Sequence, residues 1–198
     1  MIRQLKPYIF AASLLLFIGL ANVQSANAVP VTFSTSGSFN GLGNSIVFGI
    51  GPNTTTITFT GVNSTVEATP FTFASLGEFQ TSVTGAGATI APGTTFTLNI
   101  TQTAPEGGSG SLFATLQGTI EQNQSTGIVT FSVTSVTIGS TTYSLTNNPL
   151  PLVPPNTNNG VTSVQAQITA VPEPATMILL GTGLAGVAAK VRRRRKAA

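Results

Sequence analysis

Apolar side chains alternate with hydroxyl side chains along most of this chain, and a period of two is the mark of half-buried strands. In residues 54–60, Ile57 and Phe59 point one way while Thr56, Thr58 and Thr60 point the other. Phe96, Leu98 and Ile100 share a face, and Leu112, Ala114, Leu116 and Ile120 repeat the pattern. Turn signals break the alternation every ten residues or so: Gly51-Pro52-Asn53, Gly61, Gly85, Pro92-Gly93, Gly127, Gly139. No window before residue 171 has helical spacing. Many short strands between turns predict an all-β fold, an antiparallel β-sandwich or jelly roll, over residues 29–170.

One hairpin can be located. Residues 112–121 and 128–138 flank a polar loop over 122–127. In its second arm Val129, Phe131 and Val133 hold odd positions but Val136 and Ile138 even ones. A bulge near Thr134 or Ser135 would return all five to the core face. Residues 147–160 turn rich in Asn and Pro, which reads as a long surface loop or a linker. Alternation resumes over 161–169, favouring a last strand docked on the sheet over a stalk from Asn147 to Ala170.

Composition and charge change this picture at the two ends. The chain has eight Lys and Arg against five acids. Arg3 and Lys6 stand at the start, and Lys190, Arg192, Arg193, Arg194, Arg195 and Lys196 at the finish. Between Val29 and Ala170 the only charged residues are Glu67, Glu78, Glu106 and Glu121. Nucleic-acid binding, which needs clustered cations to displace counterions from phosphate, is excluded for the body.

Residues 1–28 have the parts of a secretory signal peptide: Arg3 and Lys6, an apolar run over 9–20, and a small-x-small site at Ala26-Asn27-Ala28. The mature chain is expected to begin at Val29. A dozen apolar residues span only ~18 Å of helix against a bilayer core of ~30 Å, too short for a retained anchor. The implied partners are the secretion translocon and signal peptidase. The absence of cysteine means that the exported body folds without disulfides, as about 140 residues can.

The C-terminal 28 residues, 171–198, run from Val171-Pro172-Glu173-Pro174 through an uncharged apolar stretch, 175–189, into the basic cluster. Residues 175–191 make ~26 Å of helix, the lower limit for a transmembrane segment. Flanking cations favour the cytoplasmic side, leaving Pro172-Glu173-Pro174 outside. Gly181, Gly183 and Gly186 have dinucleotide-fingerprint spacing, but they lie inside an apolar span with no strand before them and no acid about 20 residues after, which rules out a cofactor site.

This order of Val-Pro-Glu-Pro, short glycine-containing apolar helix and terminal arginines resembles the PEP-CTERM sorting signal. The resemblance implies a bacterium with an outer membrane and exopolysaccharide, and an exosortase that recognises the tail and cuts near Pro172-Glu173-Pro174. A second stretch, with Gly41-Leu42-Gly43, Val47-Phe48-Gly49, Ile57-Thr58-Phe59-Thr60-Gly61 and Thr69-Pro70-Phe71 ahead of Ser75-Leu76-Gly77, resembles the choice-of-anchor K domain of exported bacterial proteins, which implies an anchored surface domain and no particular activity. It departs from that pattern at Phe48, where a tryptophan is expected, and at Gly85-Ala86-Gly87, where an Asn-Gly is.

Candidate chemistry is sparse. Without His or Cys there is no imidazole base, thiolate nucleophile or ordinary transition-metal site, and without Lys or Arg in the body there is no Schiff base or phosphate clamp. Paired carboxylates could hydrolyse a glycosidic bond, with Glu67 and Glu78 or Glu106 and Glu121 as candidates. Isolated glutamates on a Thr-rich surface more often serve solubility. Calcium would have Glu106 beside Gly107-Gly108 and no aspartate to help. Asn53, Asn63, Asn99 and Asn123 match a glycosylation pattern that a Thr-rich bacterial chain produces by chance.

We therefore expect no enzyme, no cofactor and no metal site. The expected protein is an exported structural or interaction protein of the cell surface or extracellular matrix, held briefly in the inner membrane. The alternative is a carbohydrate-binding module for exopolysaccharide, with Tyr143, the one body aromatic bearing a hydroxyl, as the possible ligand contact.

Overall fold

A computed structural model describes residues 28–171 and Gly183. The signal peptide apart from Ala28, the Pro172-Glu173-Pro174 motif, the apolar stretch and the basic cluster lie outside the described residues.

Strands make up most of the described chain, with one 3-10 turn at Asn158–Gly160. In order these are β1 (Val29–Phe39), β2 (Ser45–Ile50), β3 (Asn53–Thr60), β4 (Asn63–Ala68), β5 (Phe71–Thr84), β6 (Ala88–Thr89), β7 (Thr95–Ala104), β8 (Gly108–Gln117), β9 (Thr119–Ile120), β10 (Ile128–Phe131), β11 (Ser135–Ile138), β12 (Thr141–Leu145), β13 (Leu150–Pro151) and β14 (Val161–Ala170). They build two six-stranded sheets, ordered β13-β10-β8-β7-β1-β4 and β11-β12-β14-β5-β3-β2, with β6 and β9 pairing at one end. All pairings are antiparallel, as the sandwich reading expected. The last strand, β14, lies between β12 and β5 inside the second sheet.

The core forms where the inward faces of the sheets meet. Phe39 and Phe96 from the first sheet interlock with Phe59 and Phe79 from the second, with ring centroids 4.8 to 6.3 Å apart in tilted and edge-on arrangements. Each buried aromatic contributes ~2–3 kcal/mol of burial, and edge-to-face pairs add ~0.5–1.5 kcal/mol. Two glycines make room for the rings. A Cβ on Gly37 would stand 2.5 Å from Phe59 and Phe96, and one on Gly77 2.4 Å from Phe59.

Gly77 has a second task. Its φ of +127° and the adjacent burial of Leu76 and Gly77 mark a bulge in β5, where one face of the strand becomes the other. Phe79 therefore points into the core while Phe71 and Phe73, on the same odd parity, point out. Of the ten body phenylalanines, Phe33, Phe39, Phe48, Phe59, Phe79, Phe96 and Phe131 are buried and Phe71, Phe73 and Phe113 exposed.

The hairpin over 112–138 needs correction in its second arm. β8 pairs with β10 only from Ala114 to Gln117 and from Ile128 to Phe131. The odd-to-even change after Phe131 is not a bulge: the chain leaves one sheet at Ser132 and enters the other as β11. The crossing is fixed by Ser132 N–H donating to the Phe113 carbonyl at 2.8 Å and Leu145 N–H donating to the Thr134 carbonyl at 2.7 Å. Val133, expected in the core, is half exposed there, while Ile138 is buried and Val136 partly so.

Candidate functional site

Tyr143, the possible ligand contact of the carbohydrate-binding alternative, is enclosed and cannot touch a ligand. It lies on the inward face of β12, 0 % exposed, with its ring edge-on to Phe33 of the opposite sheet at 5.5 Å. Its hydroxyl donates to Gln102 Oε1 at 2.8 Å, and Gln102 Nε2 donates to the Glu106 carbonyl at 2.8 Å. A buried hydroxyl needs a partner, and Gln102, itself buried on β7, supplies one across the sandwich. The group is a polar clasp between the sheets.

That clasp gives a test. Burial pushes the Tyr143 hydroxyl above its usual value. Below pH ~10 the phenol is neutral in both states, whereas above it the unfolded chain releases a proton that the folded chain keeps, so stability falls as pH rises. Residues 29–170 contain no Lys, Arg, His, Asp or Cys, so no other body side chain titrates in that range. Urea unfolding is expected to lose up to about 1.4 kcal/mol per pH unit above pH ~10. Tyr143→Phe should abolish that slope while costing about 1–3 kcal/mol at neutral pH through the orphaned Gln102 oxygen. An unchanged alkaline slope in the variant would refute the clasp.

The glutamates do not assemble a site. Glu67 is exposed on edge strand β4 opposite Pro30, and Glu78 on β5 faces Thr60 and Ser163 in the register. Glu106 Oε2 accepts from the Ser140 N–H at 3.0 Å and so braces two turns. Glu121 accepts from Gln124 beside a shallow cleft of about 350 Å³ that also involves Gln122 and Asn123. Among the described residues no three acidic side chains cluster in a way that could hold a metal ion.

Phe71 and Phe73 are 47 % and 61 % exposed and pack edge-on, with ring centroids 5.8 Å apart. In the register Phe73 lies opposite Gln167 and Phe71 opposite Thr169. The rows continue through Ser144 and Thr142 on β12 to Ser135 and Thr137 on β11. The signal that could have found this pair is the glycine at 77, which puts them on the opposite face from Phe79 despite their shared odd parity.

Both chain ends leave the sandwich together. Val29 opens β1 opposite Ala68, and two residues beyond Ala68 the Pro70 carbonyl accepts the Ala170 N–H at 3.2 Å. Val171, exposed, is still tied to the body, its N–H donating to the Ser140 carbonyl at 3.2 Å. The Pro-Glu-Pro motif thus begins directly at the folded edge. Four residue steps to Ala175 can span at most ~13–14 Å. Among the described residues no helix is long and apolar enough to cross a membrane.

No curated protein and no solved structure matches the chain. Residues 170–195 match the family model of the PEP-CTERM protein-sorting motif. The match begins at Ala170, the last residue of β14, and takes in Val171, Pro172, Glu173 and Pro174 and the basic residues through Arg195. The chain carries a PEP-CTERM protein-sorting motif, which implies export, transient anchoring in the membrane and processing by an exosortase.

Proposed function

We propose that this protein is a non-enzymatic structural or interaction component of the cell surface or extracellular matrix. The translocon exports it, signal peptidase trims it after Ala28, and an exosortase releases it from the inner membrane. The observation that carries this reading is the joint exit of Val29 and Val171 from one end of the sandwich. A body leashed there by both ends can sit on one membrane face during export, with Arg3, Lys6 and the C-terminal cations all on the cytoplasmic side.

The body's surface suits that location. Its outward faces carry Ser, Thr, Asn and Gln with few charges, a composition that stays hydrated among sugars without attracting counterions. Fractionation of producing cells tests the reading. The protein should appear in the medium or the extracellular matrix and be removed from intact cells by added protease. Recovery solely from the periplasm, or only in protease-protected form, would overturn it. The carbohydrate-binding alternative cannot use Tyr143, whose ring is enclosed.

A further inference from the structure

We propose that the outward face formed by β5, β14, β12 and β11 is a binding site for a neutral polysaccharide strand, with the Phe71–Phe73 pair as its stacking platform. This deepens the surface-protein reading and rests on it, because such a polymer meets this face only outside the cytoplasm.

Two parallel rows define the site. One runs Phe73, Gln167, Ser144, Ser135, and the other Phe71, Thr169, Thr142, Thr137, each residue directly opposite the next in the register. At ~4.8 Å per strand the three steps from β5 to β11 cover ~14 Å, the length of a short oligosaccharide rather than of one ring. A pyranose has an apolar C–H face and a rim of hydroxyls, and the two rows supply the complement of both: an aromatic ring at one end of each, then the Gln167 amide and Ser hydroxyls in one row and Thr hydroxyls in the other. The two rings lie at 76° to each other, so one can lie under a sugar face while the other closes its side. β3 pairs with β5 only as far as Glu78, so the sheet ends beside Phe71 and Phe73 and a longer polymer can continue past them.

The chemistry selects the ligand. Neither row holds an ionisable side chain, and the body offers no cation for uronate, phosphate or sulfate groups, so the ligand is uncharged. A second protein surface would need a broad apolar patch of several hundred Å² or more. Here the large exposed apolar side chains are the two rings, with Val171 just beyond Thr169, and the rows otherwise carry Gln, Ser and Thr. An isolated exposed aromatic needs no explanation. Phe113, alone on the opposite sheet's outer face, is such a case and serves as the control.

Affinity electrophoresis of the full-length protein in nonionic detergent, through gels containing hydroxyethyl cellulose, dextran, galactomannan or alginate, tests the site. At least one of the three neutral polymers should retard migration. Phe73→Ala should weaken that retention by roughly tenfold. Gln167→Ala should weaken it in the same direction, while Phe113→Ala leaves it unchanged. Because Phe73 and Phe113 are half exposed, both variants should melt close to the parent, which separates lost binding from lost folding. The proposal is overturned by the absence of retention in all three neutral gels, by retention in alginate alone, or by equal effects of Phe73→Ala and Phe113→Ala. Self-association that Phe73→Ala abolishes, without retention by any glycan, would give the face to a second copy and overturn it too. None of these results would disturb the export reading, which fractionation tests separately.

Discussion

Phe96→Ala is expected to destabilise the sandwich by about 3–5 kcal/mol, a large part of the ~5–15 kcal/mol that holds a typical domain folded. Phe96 is 1 % exposed and lies within 4.8 to 5.0 Å, centroid to centroid, of Phe39, Phe59 and Phe79. Removing it opens a cavity where both sheets meet, and the remaining rings, seated over Gly37 and Gly77, have no larger neighbour to collapse against. Filling that floor should be as damaging. Gly77→Val would drive a branched side chain into Phe59 and the Thr60 carbonyl from a backbone at φ +127°. Urea titration of the purified protein measures both variants. A loss below about 1 kcal/mol in Phe96→Ala would mean that the quartet does not join the sheets.

Replacing Pro172, Glu173 and Pro174 together by alanine is expected to abolish release and to leave full-length protein in the inner membrane. Proline fixes its own φ and disfavours helix at the residue before it, so the sequence predicts a break in any helix at Pro172-Glu173-Pro174. Alanines would remove that predicted break and favour helix through the motif toward Val171. The Val171 N–H, donating to the Ser140 carbonyl, keeps the motif close to the folded edge, so little chain on that side can compensate for a changed motif. Membrane and medium fractions probed for the body give the readout. Unchanged release from the variant would show that the motif is not where the tail is read.

Much of the fold was legible along the chain because its information is local. Alternation in 54–60 and 94–101 gave β3 and β7 their faces, and the resumption of alternation after Asn159 gave β14. The rest depends on where the sheets meet. Tyr143 is enclosed because Phe33 and Gln102, far away in sequence, lie across from it, and no local pattern specifies that pairing. Val136 and Ile138 change parity because the chain crosses between sheets, which has the same signature in sequence as a bulge. Phe71 and Phe73 illustrate the converse. There a true bulge at Leu76 and Gly77 turns what reads as core alternation outward. The sorting tail was legible for a different reason: its meaning lies in the order of proline, apolar and arginine segments, which a membrane and a peptidase read without a fold.

Intact-mass analysis of the protein recovered outside the cell tests the account most directly. The expected species begins at Val29 and ends near Pro172, having lost both the signal peptide and every arginine. A soluble cytosolic species of all 198 residues, with the basic cluster still attached, would contradict it.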